Sequence, residues 1–323
     1  MFLNIVFLLA GFVALIFGAD FLVKGAASIA KKFHISTLVI GLTVVAFGTS
    51  MPELTVGVTA ALRNSTDIVL GNVIGSNIAN ILLILGICAL VQPLIVKSTT
   101  VWKEIPLALA GMGLIFVEAN DSLFDNIPSN AITRTDGVSL LVLFVIFMYY
   151  IFGLARNDRD AKANAESTKI QTYSTSLSVV YAFIGFGLLV LGGSLLVDNA
   201  VGIAEKAGLS QSLIGLTVVA IGTSLPELAT SLIATIKGQN DIAIGNVIGS
   251  NIFNTFWILG ASSSVAPLPV AANGSIDIAV GVAATLGLFI FMFVNGRHRL
   301  NRIEGLVFVL AYFAYMGFLI KQG

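Results

Sequence analysis

GLTVVAFGTSMPEL begins at Gly41, and DIVLGNVIGSNIANILLILG follows a dozen positions later and ends at Gly86. The same pattern returns as GLTVVAIGTSLPEL from Gly215 and DIAIGNVIGSNIFNTFWILG up to Gly260. Every match keeps one constant offset without a gap, so Glu53 corresponds to Glu227. The chain is therefore a duplication, and its best-matched positions include polar residues inside apolar segments.

Composition indicates the solvent around this duplication. The 323 residues are 57% hydrophobic and 11% charged, with a mean hydropathy of +0.97, whereas soluble domains carry about 25% charged residues. Apolar runs of about 20 residues, long enough to cross a bilayer as helices, lie between the charges. The sequence predicts an all-α integral membrane protein with about ten spans, five in each half. The expected spans are Phe2–Ala30, Leu38–Leu62, Ile68–Val91, Ile105–Val117, Val138–Leu154, Leu177–Ile203, Leu213–Ile236, Ile242–Val265, Ile276–Val294 and Gly305–Ile320.

The odd number of spans in each half predicts inversion, because the second repeat then enters the membrane from the opposite side. Lys and Arg concentrate in cytoplasmic loops. With the N-terminus outside, most basic residues fall on the cytoplasmic side, and only Arg63, Arg134, Lys206 and Lys321 are left outside. We therefore expect both termini to face outward. The expected units are a first repeat over 1–155 (duplicated stretch 41–86), a cytoplasmic linker over 156–173 and a second repeat over 174–323 (duplicated stretch 215–260). Inverted repeats are typical of secondary transporters that bind substrate near the midplane.

Prolines inside two of the spans predict helix breaks. Pro52 and Pro226 remove a backbone N–H and clash one turn back, and Gly48 and Gly222 precede them by four residues. A broken helix exposes carbonyl oxygens, which are tolerated at membrane depth only where they line a cavity or bind something. An ordinary proline kink repaired by nearby hydroxyl groups is the alternative reading of the prolines alone.

The acid beside each proline favours a cation site. An ionised carboxylate in the centre of a membrane helix costs about 2.5–3.5 kcal/mol, and the spans that hold Glu53 and Glu227 carry basic residues only at their ends. Either the acids stay protonated or a cation joins them. A protonated glutamate bonded to backbone would explain one such acid, but it explains a symmetric pair poorly.

Oxygen donors surround the two acids in the sequence. Hydroxyl groups and released carbonyls lie one to two turns before each acid, and the next span adds a hydroxyl and an amide four residues apart on one helical face. Such oxygen sets suit Ca²⁺, whereas Zn²⁺ and copper prefer His and Cys. The predicted donors are Thr49, Ser50, Ser76, Asn80 and the carbonyl of Ala46, with Thr223, Ser224, Ser250, Asn254 and the carbonyl of Ala220.

These paired motifs resemble the alpha-repeats of the cation/calcium antiporter superfamily, in particular its prokaryotic sodium/calcium exchangers, over essentially the whole chain. The resemblance implies a multi-pass protein of the prokaryotic inner membrane that exchanges Na⁺ for Ca²⁺ by alternating access. It implies electrogenic exchange, with more than two and expectedly three Na⁺ for each Ca²⁺. It assigns Glu53 and Glu227 to Ca²⁺, and the motif Thr and Ser residues to the Ca²⁺ and flanking Na⁺ sites. It also implies that the long first and sixth helices slide across the other eight.

Other classes of function are disfavoured by particular features. An intramembrane hydrolase would need a base beside a nucleophile, and the spans place no His or Lys near the serines. The glycine spacing lacks the Lys of a phosphate loop, so no nucleotide is expected, and the zero net charge argues against nucleic acid. No cofactor is expected. We expect a functional monomer, because one chain completes the site. A cation channel and H⁺-coupled or K⁺-assisted exchange remain as alternatives, although the two amides Asn80 and Asn254 disfavour K⁺ coupling.

Overall fold

A computed structural model describes residues 2–62, 67–124, 129–157, 171–206, 220–271, 274–294 and 298–322. The expected span over 213–236 lies partly outside these residues, and so does most of the linker over 156–173. Within the described residues, eight helices are long and apolar enough to cross a membrane, and a bent helix pair adds a ninth span. The apolar helix Leu225–Ile236 belongs to the remaining expected span. The prediction of about ten membrane helices is therefore confirmed.

We number the helices in chain order. Those of the first half are α1 (Phe2–Lys32), α2 (Thr37–Thr49), α3 (Met51–Leu62), α4 (Val69–Val91), α5 (Thr100–Glu118) and α6 (Arg134–Asn157). Those of the second half are α7 (Thr175–Lys206), α8 (Ala220–Thr223), α9 (Leu225–Ile236), α10 (Asn240–Val265), α11 (Gly274–Val294) and α12 (Arg302–Gln322). Within them, π-helical turns occupy Gly41–Val45, Ala79–Leu85, Thr100–Glu104 and Phe253–Ile258. A single helical turn, Asp121–Phe124, lies between α5 and α6.

The helices α4 and α10, which hold the later part of each duplicated stretch, form the centre of the described structure. The most apolar windows of α4 and α10 are 83% and 94% buried, whereas those of α1, α6 and α12 are 28%, 17% and 28% buried. The peripheral helices expose large apolar side chains such as Phe12, Val145 and Phe313, which is the expected surface toward lipid. The polar motif residues of α4 and α10 therefore lie in helices that the rest of the protein shields from the bilayer.

The equivalent helices α1 and α7 pack antiparallel against each other. Gly11 meets the backbone of Gly192, whereas Gly18 meets that of Gly185, so the order of contact reverses along the two helices. Backbone contacts of this kind need small residues, as is usual between membrane helices. Because two helices related by the duplication run in opposite directions, the repeats are inverted, as the odd span count predicted.

Helix breaks occur where the prolines predicted them. The axes of α2 and α3 differ by 49°, and the residue between them, Ser50, has φ −85° and ψ 9°. Ser224 separates α8 from α9 with φ −85° and ψ 4°. Pro52 and Pro226 each take the second position of the following helix, where an N–H would lack a partner in any case. The prolines thus end one helix and start the next without the loss of an internal hydrogen bond.

Two short strand pairings join the repeats. The strands are β1 (Leu94–Ile95), β2 (Ala131–Ile132), β3 (Leu268–Pro269) and β4 (Arg299–Leu300). Both pairings are antiparallel, and β1 pairs with β4 while β2 pairs with β3. The strands β1 and β3 are equivalent in the duplication, and each of them pairs with a strand from the opposite half of the chain. The sequence did not predict these strands.

Ion pairs connect α1 to the end of α9. The Asp20 carboxylate contacts Lys237 Nζ at 2.5 Å and Lys24 Nζ at 2.6 Å. Lys237 also donates to the backbone carbonyl of Asp20 at 3.3 Å. Because Lys237 follows the broken-helix segment that carries Glu227, these contacts tie the peripheral helix α1 to the central helices on one side of the protein.

Candidate ion-binding site

Glu53 and Glu227 lie at equivalent places in the two halves. Each is in the first turn of its helix, α3 or α9, and each is only 1% exposed. Helix N-termini carry partial positive charge, which favours a carboxylate there by roughly 0.3–1 kcal/mol or more when partly buried. None of the Lys and Arg ion pairs among the described residues includes either acid. Among the side chains that the structure describes, the two buried carboxylates therefore have no cationic partner.

The surroundings of Glu227 come from both repeats. Its Oε1 accepts a hydrogen bond from Ser50 at 3.0 Å and one from Ser250 at 3.5 Å, whereas its Oε2 is buried without a partner. The Nδ2 of Asn246 donates to the backbone carbonyl of Glu227 at 3.4 Å. Ser50 and Ser250 were both predicted as donors, and the structure brings them onto the acid of the second repeat.

The surroundings of Glu53 differ from those of Glu227. Both carboxylate oxygens of Glu53 are buried without a hydrogen bond of normal geometry, and Thr223 is the hydroxyl residue that interacts with this carboxylate. Ser224, the equivalent of Ser50, donates instead to Ser76 at 3.3 Å. The two halves therefore offer the same residue types in different hydrogen-bonding states.

Amide oxygens from α4 and α10 are further uncharged oxygen atoms near the two acids. The Oδ1 atoms of Asn80 and Asn254 are buried without a partner, and each asparagine lies one turn beyond Ser76 or Ser250 on the same helical face. Both asparagines belong to π-helical turns at equivalent positions, Ala79–Leu85 and Phe253–Ile258. Such turns often mark functional sites.

The sequence prediction missed two asparagines beside the site. Thr49 donates to Oδ1 of Asn246 at 3.0 Å, and Thr223 approaches Oδ1 of Asn72 at 3.5 Å. These are equivalent contacts, each from one repeat to the other. The signal was available, because Asn72 lies four residues before Ser76 and eight before Asn80, which places all three on one face of α4.

The remaining predicted residues form the helix breaks themselves. The carbonyl of Ala46 accepts the Ser50 N–H at 3.0 Å and the Thr49 hydroxyl at 3.3 Å, so the break does not release it as expected. Ala220 begins α8, and its side chain lies outside the described residues. Gly48 and Gly222 both pack on α7. A Cβ added at Gly48 would meet Phe186 at 3.4 Å, and one added at Gly222 would collide with Val197.

The arrangement suits a hard cation. Ca²⁺ takes six to eight oxygen ligands, including carboxylates and amide or backbone carbonyls. Three carboxylate oxygens and two amide oxygens are buried here without a hydrogen bond of normal geometry, and an unpaired buried polar group costs about 1–3 kcal/mol, more when charged. Inverted repeats with such a site between broken helices define a secondary cation transporter.

Comparison with known proteins assigns the family. The family model described as sodium/calcium exchanger protein matches residues 3–153 and 177–321, and the chain belongs to this family. It is therefore a multi-pass membrane antiporter of the cation/calcium class, and the family is one of transporters rather than enzymes.

Individual relatives agree with this assignment. The putative antiporter CaxA of Alkalimonas amylolytica is 42% identical over 323 residues, which cover 98% of each chain. The inner membrane protein YrbG of Escherichia coli (strain K12) is 40% identical over 266 residues, which cover 80% of this chain and 79% of YrbG. A structure of the sodium-calcium exchanger NCX_Mj, soaked with zero Na⁺ and Ca²⁺, has a TM-score of 0.83 at 33% identity and covers 98% of both chains.

Unequal effects are expected for the two equivalent serines. Ser50→Ala removes a hydroxyl that would keep a buried carboxylate oriented in the ion-bound state, and since hydrogen bonds to charged groups contribute about 1.5–3 kcal/mol, we expect Ca²⁺ affinity to fall roughly 10- to 100-fold. Ser224→Ala removes a bond between neutral hydroxyls, which contributes about 0.5–1.5 kcal/mol, so the fall should stay near or below 10-fold. Calorimetric Ca²⁺ titration of the purified variants measures both. Equal losses would mean that the asymmetric hydrogen bonding of the two glutamates does not affect binding.

Proposed function

We propose that this antiporter exchanges Na⁺ for Ca²⁺, with Glu53 and Glu227 holding Ca²⁺ between the two repeats. The motif hydroxyls of Thr49, Ser50, Ser76, Thr223, Ser224 and Ser250 serve Ca²⁺ and the flanking Na⁺ ions, and the amides of Asn80 and Asn254 contribute oxygen without charge. Na⁺ fits the same donors because it is also a hard cation of similar radius to Ca²⁺. The relative NCX_Mj is described as a sodium-calcium exchanger, which supports this choice of ions.

The unpartnered oxygens of the two glutamates carry this proposal. Two carboxylates buried in a membrane protein at 1% exposure are costly unless a cation or a proton neutralises them. Ca²⁺ neutralises both at once, whereas Na⁺ ions neutralise them separately. Either Ca²⁺ or Na⁺ must therefore offset the charge of the two carboxylates while the protein changes between its outward-open and inward-open states. This requirement couples the two fluxes.

Coupling to the membrane potential follows from the stoichiometry. Exchange of three Na⁺ for one Ca²⁺ moves one net charge in each cycle, which corresponds to about 2.3 kcal/mol for each 100 mV. The Ca²⁺ gradient sustained at equilibrium should therefore change by about 50-fold for each 100 mV. Electroneutral exchange of two Na⁺ for one Ca²⁺ would show no such dependence.

Alternating access would require α1 and α7 to move against the central helices. These two helices meet through glycine backbone contacts, so they would slide as a pair. The ion pair between Asp20 of α1 and Lys237 at the end of α9 would break when α1 moves away from α9. Both termini would lie outside the inner membrane, with the linker over 156–173 in the cytoplasm. The halves 1–155 and 174–323 would complete one site in a functional monomer.

Radioactive Ca²⁺ uptake into Na⁺-loaded proteoliposomes tests the coupling ion. Uptake should require internal Na⁺, fail with internal choline or K⁺, and increase when the interior is made positive, because net positive charge leaves the liposome. Uptake driven only by a pH gradient would replace Na⁺ with H⁺ as the coupling ion. Ca²⁺ conductance without countertransport would show that the chain is a channel.

A further inference from the structure

Four asparagines form a symmetric crossing between α4 and α10. Each of Asn77, Asn80, Asn251 and Asn254 is at most 2% exposed. The Nδ2 of Asn80 donates to Oδ1 of Asn251 at 2.9 Å, and the Nδ2 of Asn254 donates to Oδ1 of Asn77 at 3.1 Å. The duplication relates these two bonds to each other. The same pairing is therefore built twice, each time between an amide of the site and an amide of the opposite repeat.

The pairing selects which end of each site amide is left over. A carboxamide has a donor end and an acceptor end. Because the NH₂ groups of Asn80 and Asn254 are occupied, their Oδ1 atoms are the ends that remain buried without a partner. A flipped amide would place two acceptor oxygens against each other and would direct an NH₂ group toward a cation. Both consequences oppose the flipped state.

Asn77 and Asn251, which accept the bonds from the amides of Asn254 and Asn80, are themselves held in one orientation. Asn77 Nδ2 donates to Thr255 Oγ1 at 3.0 Å and contacts Met112 Sδ at 3.4 Å. Asn251 Nδ2 donates to the backbone carbonyl of Asn77 at 3.2 Å. With their donor ends occupied, Asn77 and Asn251 can present only an acceptor to the site amides. The direction of every bond in the crossing is therefore determined by its neighbours.

We propose that Asn77 and Asn251 are positioning residues that hold the amides of Asn254 and Asn80 with their oxygens toward the transported cation. They act through these amides and do not bind the ion. This inference rests on the proposed function, since it concerns the ligands of the same site. It explains why the motif has asparagine directly after Ser76 and Ser250 as well as four residues after each serine.

A double-mutant cycle tests the proposal. Asn77→Leu leaves the NH₂ group of Asn254 without its acceptor, so the amide becomes free to flip, and the Km for Ca²⁺ should rise at least about 10-fold with little change in maximal rate. Asn254→Asp presents an oxygen at both ends and has no wrong orientation. It should therefore restore most of the affinity in the Asn77→Leu background. In the wild-type background, the carboxylate introduced by Asn254→Asp would face Oδ1 of Asn77. Asn254→Asp should therefore lower the Km for Ca²⁺ less in the wild-type background than in the Asn77→Leu background.

The comparison between backgrounds separates positioning from a merely structural role. If Asn77 only supports packing, Asn254→Asp will have the same effect in both backgrounds, and that result would overturn the proposal. Asn120→Ala, which removes a buried asparagine bonded to the Phe116 carbonyl, is the control for loss of a buried amide and should leave the Km for Ca²⁺ unchanged. If Asn77→Leu does not fold, Asn251→Leu with Asn80→Asp gives the equivalent cycle.

The outcome is distinguishable from failure of the ion site itself. Wild-type flux in a Glu227→Gln variant would reject the proposed site. Loss of flux in that variant, together with an unchanged Km for Ca²⁺ in Asn77→Leu, would reject only the positioning role.

Discussion

Glu227→Gln is expected to reduce Ca²⁺ flux by about 100- to 1000-fold while the protein stays folded. Removal of one member of a buried charge pair costs about 3–5 kcal/mol, and in the proposed site Ca²⁺ would lose one of its two carboxylate partners. Gln keeps the shape of the side chain and its Oε1 acceptor, so the hydrogen bond from Ser50 can still form. Glu53→Gln should have an effect of similar size. Flux in proteoliposomes and Ca²⁺ titration measure the loss.

A matched control for this substitution lies elsewhere in the membrane. Glu104 in α5 is fully buried and is bonded to the Tyr150 hydroxyl, outside the set of proposed ion ligands. Glu104→Gln should therefore keep the Ca²⁺ flux within about threefold of the wild-type value, as expected for a site that is not coupled to the ion ligands. Wild-type flux in Glu227→Gln, or an equal loss in Glu104→Gln, would contradict the assignment of the paired glutamates to Ca²⁺.

The second large effect is expected at the contact between α1 and α7. A Cβ at Gly185 would collide with the backbone N of Leu22 and would lie 2.7 Å from the carbonyl oxygen of Gly18, so Gly185→Val must push the two helices apart. Overpacking costs about 1–3 kcal/mol and occasionally more. We expect the melting temperature in detergent to fall by about 5 °C or more and Ca²⁺ transport to be lost, since α1 and α7 could no longer move as a pair.

Gly187 gives the matched control on the same helix. An added Cβ there meets no described atom within 4 Å, and the residue is exposed, so Gly187→Val should change the melting temperature by no more than about 2 °C, as for a typical surface substitution. Similar melting temperatures and transport rates for the two variants would show that close approach of α1 and α7 is not needed for stability or exchange.

Much of the fold could be predicted because a membrane restricts the local choices. Every span must satisfy its own backbone hydrogen bonds, so an apolar run of sufficient length is a helix whatever its neighbours are. The breaks at Ser50 and Ser224 were predictable for a similar reason, because proline acts on the residues within one turn of itself. The burial of Glu53 and Glu227 followed from their place inside such runs.

Features that depend on contacts between distant segments were not predicted. Leu94 of β1 pairs with Leu300 of β4, in the opposite half of the chain, and two-residue strands leave no recognisable pattern in a sequence. The roles of Asn72 and Asn246 were missed because their hydrogen bonds are made to threonines of the opposite repeat. The carbonyl of Ala46 was expected to be free, yet the local turn at Ser50 supplies it with two donors.

The sequence by itself determined the duplication, the number of spans, the helix breaks and the residue types of the site, because each of these depends on a short segment and on the apolar solvent around it. Only the tertiary structure decided that Ser50 of the first repeat bonds Glu227 of the second, that Ser224 does not bond Glu53 in the same way, and which end of each site amide is left unpaired. The physical reason is that duplicated segments are equal in sequence but need not be equal in packing. The hydrogen bonds of one repeat are completed by the other, and their geometry is set only when the inverted halves pack together.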